Sequence, residues 1–161
     1  MQKSVTKICG ILTSGGDAPG LNAAIRGVCR TAIDIYGMKV IGFEHGYRGL
    51  IENKSRVLNP SEFSGILAQG GTILGTSREK PFKDKNWCEG TGPCAVEMII
   101  DTYKKNKLDC LVTLGGNGTN TTASLLAKEG LNVIGLPKTI DNDIVETDIT
   151  FGFHTALTVA T

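Results

Sequence analysis

Residues Leu111–Gly130 read LVTLGGNGTNTTASLLAKEG. Leu111–Leu114 is an apolar run of strand length. GGNGT is a glycine turn, and the remainder has the composition of a helix stopped by Gly130. A strand that enters a helix through glycines gathers backbone N–H groups and the positive helix end at one place, which suits a phosphate. Gly115, Gly116 and Gly118 bracket Asn117 there, and Thr119 is placed either to cap the helix or to bond a phosphate oxygen. Taken alone, the stretch is also compatible with a plain glycine turn and helix cap.

The same grammar repeats on both sides. Residues 7–14, KICGILTS, form a compact apolar strand. Residues 21–36, LNAAIRGVCRTAIDIY, place Leu21, Ala24, Ile25, Val28, Ala32 and Ile35 at helical intervals. GMKVIGFEHG (37–46) gives a glycine stop and a second strand, and NPSEFSGILAQ (59–69) a short helix with Ser61 as its cap. Residues 69–93 are turn-rich and polar, and read as a surface excursion. PCAVEMIIDTYKKNK (93–107) is a helix with Pro93 near its first turn. LDCLVTL and LNVIGLP are further strands, KTIDNDIVETD (138–148) is a polar loop, and ITFGFHTALTVAT opens a last helix. Strands that alternate with helices predict right-handed βαβ units: an α/β fold, Rossmann-like, with a parallel sheet flanked by helices.

Composition narrows the class. The chain has 161 residues, the size of one ordinary domain, and 40% of them are hydrophobic. A net charge of +1 gives no sign of nucleic acid or an anionic membrane as partner. No apolar run reaches the roughly 18–20 residues of a membrane span, and the N-terminal apolar part is too short for a secretory signal. Of the five cysteines, Cys9, Cys29 and Cys110 sit in core-like runs and read as buried thiols. Cys88 and Cys94 flank EGTGP; with only His45 and His154 in the chain they support zinc weakly. A reduced, cytoplasmic protein is expected. The 21 glycines, against a usual share of about 7%, cluster at strand ends, where backbone must approach a ligand.

Three polar loops follow apolar strands: TSGGDAPG (13–20), LGGNGT (114–119) and PKTIDND (137–143). In an open parallel sheet all three would gather beyond the carboxyl ends of the strands. Gly15 and Gly16 can turn N–H groups to a phosphate. Lys138 can neutralise one. Asp141 and Asp143, two residues apart, can divide proton abstraction from the surroundings of a metal or its waters. No Gly-Lys-Ser/Thr follows the first loop, so it is not a P-loop, and neither is it G-x-G-x-x-G. Arg78 follows another glycine loop, and Arg26 and Arg30 lie four apart on one helix face.

ILTSGGDAPGLNAAIRG (11–27), GGTILGTSR (70–78), GGNGT (115–119) and GLPKTIDND with FGFHTA (135–143, 151–156) resemble the phosphofructokinases, in the family's order and spacing from about Ile8 to the last residue. Residues 79–92 are the least family-like. The resemblance implies phosphoryl transfer to the 1-hydroxyl of fructose 6-phosphate, with magnesium and with ATP or pyrophosphate as donor. It implies Asp141 as general base, with Asp143 and Lys138 beside it in the catalytic set. Thr139, Ile140 and Asp141 would meet the sugar phosphate. Gly16, Tyr47, Arg78, Glu79, Gly116, Asn117, Gly118 and Thr119 would meet the donor, Asn117 also standing at the metal position. Arg26 and Arg30 match effector-binding arginines; a further expected arginine is replaced by Pro60, which puts the usual effector response in doubt.

Two positions bear on the donor. Gly118 leaves room for a nucleoside triphosphate where pyrophosphate users typically carry aspartate, whereas Lys138 is typical of pyrophosphate users. The missing side chain is weighted more, so ATP is expected and pyrophosphate is the alternative. Asn117 replaces the family's usual aspartate, keeping an oxygen ligand but losing a charge, so metal binding without donor should be weaker. Relatives are about twice this length, as two α/β domains usually assembled into homo-tetramers or dimers. Residues 1–161 are therefore expected to be the donor-binding N-terminal domain, truncated, without the second substrate domain and inactive alone. A nucleotide- or sugar-phosphate-binding regulatory domain is the non-enzyme alternative. The lipid and NAD kinases share only the glycine loop.

Overall fold

The structure is a computed structural model and describes residues 7–83 and 94–161. Pro93 and Cys88 lie outside the described residues. The strands are β1 (Ile8–Thr13), β2 (Lys39–Phe43), β3 (Ser55–Val57), β4 (Cys110–Gly115), β5 (Val133–Thr139) and β6 (Phe151–Gly152). The α-helices are α1 (Leu21–Arg30), α2 (Tyr47–Ile51), α3 (Ala95–Lys105), α4 (Asn117–Lys128) and α5 (Phe153–Ala160). They form one six-stranded sheet in the order β3-β2-β1-β4-β5-β6. Every pairing is parallel except β2 with β3. The α/β expectation therefore holds, with one antiparallel edge strand that the sequence reading missed.

The central strands are buried on both faces, as helices on either side of a parallel sheet require. Along β1 and β4, Cys9, Ile11, Cys110, Val112 and Leu114 point to the α1 side, where Leu21, Ile25, Phe63, Ile66 and Leu74 pack. Leu12 and Leu111 point the other way, to α2, α3 and α4, against Tyr47, Leu50, Ile99 and Leu126. Each such aliphatic side chain, nearly sealed from water, contributes about 1.5–3 kcal/mol. Cys9 and Cys110 are register partners on adjacent strands, and both are buried free thiols, as is Cys29. Burial pushes the Cys29 thiol up to about 12.

Three local expectations change. The helix beginning at Leu21 widens into a π-type turn over Thr31–Ile35, which shifts its phase; Ala32 stays buried while Ile35 is 60% exposed. The NPSEF turn is a short 3-10 helix, Pro60–Phe63, capped by Asn59 and not Ser61; Glu62 Oε2 accepts the Asn59 N–H at 2.7 Å. Residues 69–83 have no regular structure but are strapped onto the sheet. The buried Asn22 side chain donates to the carbonyls of Gln69 and Gly70 at 3.1 and 3.2 Å and accepts the Ile73 N–H at 2.8 Å. Leu74 is buried beside them.

Candidate active site

β1 pairs with β2 on one side and with β4 on the other, so chain direction across the sheet reverses there. Loops leaving the carboxyl ends of β1 and β4 splay apart at such a point and leave a crevice between them. The crevice has a volume of about 370 Å³. It is lined by Ser14–Ala18 from the β1–α1 loop, Arg78, Glu79 and Lys80 from the strapped loop, Gly116, Gly118 and Thr119 from the start of α4, and Lys138–Asp141 from the end of β5. The three loops singled out in the sequence therefore do meet at one rim.

The β1–α1 loop is held peptide by peptide. Gly15, at φ 88°, adopts a left-handed turn open to glycine. Its N–H donates to the Ser77 carbonyl at 2.8 Å, and the Ser14 hydroxyl donates to the same carbonyl at 3.2 Å. The Thr76 hydroxyl donates to the Gly15 carbonyl. The Lys138 ammonium donates to the Gly16 carbonyl, from 122 residues away in sequence. Ser77 is thus a structural anchor that delivers the next residue, Arg78, to the crevice.

At the second loop Gly116 precedes α4 and Asn117 opens it, so Thr119 lies inside the first turn and does not cap the helix. Thr119 is buried, 6% exposed, with its hydroxyl near Gly15 and packed onto Gly115. A side chain at Gly115 would stand 2.5 Å from Thr119 Cβ and 2.6 Å from the Ser14 carbonyl oxygen, so only glycine fits there. At Gly118 an added Cβ meets nothing within 4 Å. The Asn120 amide donates to the carbonyls of Gly115 and Gly116, at 3.0 and 3.1 Å, and draws those oxygens off to itself. Asn117 is exposed and stands outside the crevice lining. Tyr47 also lies outside it. Its ring is enclosed, 1% exposed, and its hydroxyl donates to the Thr119 carbonyl at 2.9 Å from behind the loop. Burial raises the Tyr47 phenol well above its ordinary range.

At the third loop Lys138 is 5% exposed. Desolvation lowers its pKa; the Asp17 carboxylate opposes that, and the Arg78 guanidinium adds to it. The Thr139 hydroxyl accepts the Asp141 N–H at 3.1 Å, a turn that leaves Asp141 exposed at the crevice. Asn142, at φ 51°, closes the loop behind it by accepting the Thr150 N–H at 2.9 Å. Ile140 lines the crevice; Asp143 is exposed beyond the lining.

Of the other residues named in advance, Arg26 donates to the Phe63 carbonyl at 2.7 Å and Arg30 pairs with Asp34 at 2.8 Å. Both lie away from the crevice. Ser14, Asp17, Ala18 and Lys80 line it without having been singled out. Asp17 stood inside the quoted GGDAPG, so its place was readable from the loop it belongs to. Lys80 lies in a stretch with no pattern.

The phosphofructokinase family profile matches residues 8–161. The chain belongs to the phosphofructokinase family. It is 63% identical over its whole length to a protein of Spirochaeta thermophila named ATP-dependent 6-phosphofructokinase, of which it covers 44%. The structure superposes on Pichia pastoris phosphofructokinase in the T-state with a TM-score of 0.84 at 36% identity, covering 96% of this chain and 17% of that one. It also matches the fold of a pyrophosphate-dependent phosphofructokinase from Marinobacter aquaeolei, with a TM-score of 0.73 at 24% identity, over 91% of this chain and 37% of that one. This family member thus spans less than half the length of the relatives it matches. No helix among the described residues is long and apolar enough to cross a membrane.

Proposed function

We propose that this chain is the donor-binding domain of an ATP-dependent 6-phosphofructokinase, which transfers a phosphoryl group from ATP to the 1-hydroxyl of fructose 6-phosphate in glycolysis. The observation that carries this reading is the crevice itself. Asp141 from the third loop faces the glycine loops of β1 and β4 across a space of phosphate scale. Phosphoryl transfer asks mainly for positioning and for neutralisation of charge on the transferred group. In this reading Asp141 takes the proton from the sugar hydroxyl, Thr139 and Ile140 set the acceptor against it, and Asp143 lies behind as an orienting charge. Gly16, Gly116, Gly118 and Thr119 present backbone N–H groups to the donor phosphates. Arg78 supplies positive charge to the donor, Glu79 stands with it at the donor's mouth, and the Lys138 ammonium holds the Gly16 carbonyl of the donor loop. Tyr47 serves the donor through Thr119.

Magnesium fits this site as a passenger of the donor. No cluster of three or more His, Cys, Asp or Glu among the described residues is arranged to hold a metal. Asp17 and Glu79 nevertheless bring carboxylates to the crevice, and magnesium is commonly held by one or two carboxylates plus phosphate oxygens. When bound, it would neutralise donor phosphate charge. Asn117, with no full charge, adds at most an orienting carbonyl.

ATP is favoured over pyrophosphate by the open space at Gly118 and by the name of the Spirochaeta relative. Lys138 is the feature that favours pyrophosphate. The second, substrate-completing domain lies outside these residues in this reading, and the chain alone is inactive. The test is turnover by the full-length protein, with fructose 6-phosphate, magnesium and either donor, followed as fructose 1,6-bisphosphate. Turnover with ATP supports the reading. Turnover with pyrophosphate alone assigns the donor to Lys138, and donor binding with no turnover reassigns the domain as regulatory.

A further inference from the structure

Lys138 is the one described lysine that is buried, and its ammonium is turned onto a backbone carbonyl at the crevice. That carbonyl, Gly16 C=O, belongs to a loop whose neighbouring peptide is already fixed by Thr76 on the Gly15 carbonyl. A peptide is planar, so holding its oxygen sets the direction of its N–H as well. A glycine pair has little conformational preference of its own and needs such restraint to keep one arrangement. An unpaired carbonyl at a phosphate site also repels the ligand, whereas one bonded to an ammonium does not.

The geometry points to Lys138 as a positioning residue for the phosphoryl donor: it fixes the Gly16–Asp17 peptide and masks its carbonyl, and so acts on donor affinity through the loop and not by contact with the transferred phosphoryl group. The α4 side has a matching device in Asn120, whose amide holds the Gly115 and Gly116 carbonyls. Each glycine loop of the crevice thus has its carbonyls held by a side chain from a different position. An ammonium has three donors, and one is committed to the loop. Burial keeps the side chain short of rotamer freedom, so the committed direction is the stable one.

The kinetic arm of the test rests on the proposed phosphoryl transfer; the structural arm does not. K138M and K138R are made in the full-length protein. Amide hydrogen exchange across residues 14–19 is measured without ligand, and kcat and KM for MgATP are measured with fructose 6-phosphate. K138M should raise exchange in that segment about tenfold and donor KM about tenfold, with kcat within about threefold of wild type. K138R, which keeps a cationic donor, should restore both to within about threefold. Unchanged exchange in K138M overturns the proposal, as does a loss of about a hundredfold in kcat with donor KM unaltered, the signature of contact with the transferred group. Should K138M fail to fold, K138A takes its place, with the same two rises expected and the same two overturning outcomes. A wild-type protein without turnover refutes the proposed function and leaves the exchange result to stand or fall alone.

Discussion

Tyr47→Phe separates the donor contact that the resemblance implies for this residue from the inward packing that the structure shows. The resemblance put the phenol against the donor. In the structure it is 1% exposed and donates to the Thr119 carbonyl at 2.9 Å. Phenylalanine keeps the ring in the core with Leu12, Ile99 and Leu126 and deletes only the hydroxyl. The Thr119 carbonyl keeps its helical acceptor role toward the N–H four residues on, so it is not left bare. The loss is then one neutral hydrogen bond, about 0.5–1.5 kcal/mol. For a chain of this size about 1 kcal/mol corresponds to a fall of about 2–4 °C in Tm. Thr119 sits in the first turn of the helix that faces the crevice, so a small shift passes to the donor, with KM for MgATP rising about threefold or less. Thermal unfolding by circular dichroism gives the first number, and initial rates of the full-length protein give the second. A phenol that reached a donor phosphate would behave in the opposite way. Losing a bond to a charged group costs about 1.5–3 kcal/mol, and donor KM would rise tenfold to a hundredfold with Tm unchanged. That result would refute the inward placement of Tyr47.

Other substitutions probe the crevice walls. At Gly118 an added Cβ meets nothing within 4 Å, so Gly118→Asp should fold with Tm unchanged; a carboxylate there should cut kcat/KM for ATP by about a hundredfold through repulsion of the donor phosphates, read from initial rates. Gly115→Ala should do the reverse, lowering stability by about 1–3 kcal/mol in urea unfolding, because its Cβ drives into Thr119 and the Ser14 carbonyl. Asp141→Asn should lower kcat by about a hundredfold to ten-thousandfold while donor KM stays within about threefold, as expected for removal of a base that touches only the acceptor. Desolvation lowers the Lys138 pKa, with Asp17 on the α1 side opposing and Arg78 on the strapped loop assisting, so its proton leaves at a lower pH than a free lysine's. Donor KM should therefore climb on the alkaline side before pH reaches the ordinary lysine range of about 10.4, and K138R should abolish the climb.

Local pattern made the sheet and the three loops readable, because both depend on short-range order. The continuous apolar runs of β1 and β4 are what strands buried on both faces require, and glycines at the strand ends must lie where helices begin. What pattern could not reach is what holds the crevice walls in place. β3 has only Ser55–Val57 and no apolar alternation, so its pairing with β2 leaves no period to detect. Residues 69–83 look like a solvated excursion until Asn22, some 47–51 residues earlier, is seen bonded to them. Asn22 itself sat among helix formers with nothing to mark it. Tyr47 was assigned a contact by likeness, and only tertiary packing could say which way its ring turned.

These misses share a cause that bears on function. Gly15, Gly16, Gly115 and Gly116 name the place where a donor would bind, but glycine specifies no conformation of its own. The conformation comes from Thr76, Lys138 and Asn120, each bonded to a glycine carbonyl. Lys138 shows the difference. In the sequence it was a charge for a phosphate; in the fold that charge is committed to a peptide. A lysine identified with pyrophosphate use by likeness can thus sit in a crevice that Gly118 leaves open to a nucleotide, without contradiction. The donor preference would then follow from which groups reach the phosphates, and Lys138 would set how firmly the loop waits for either donor.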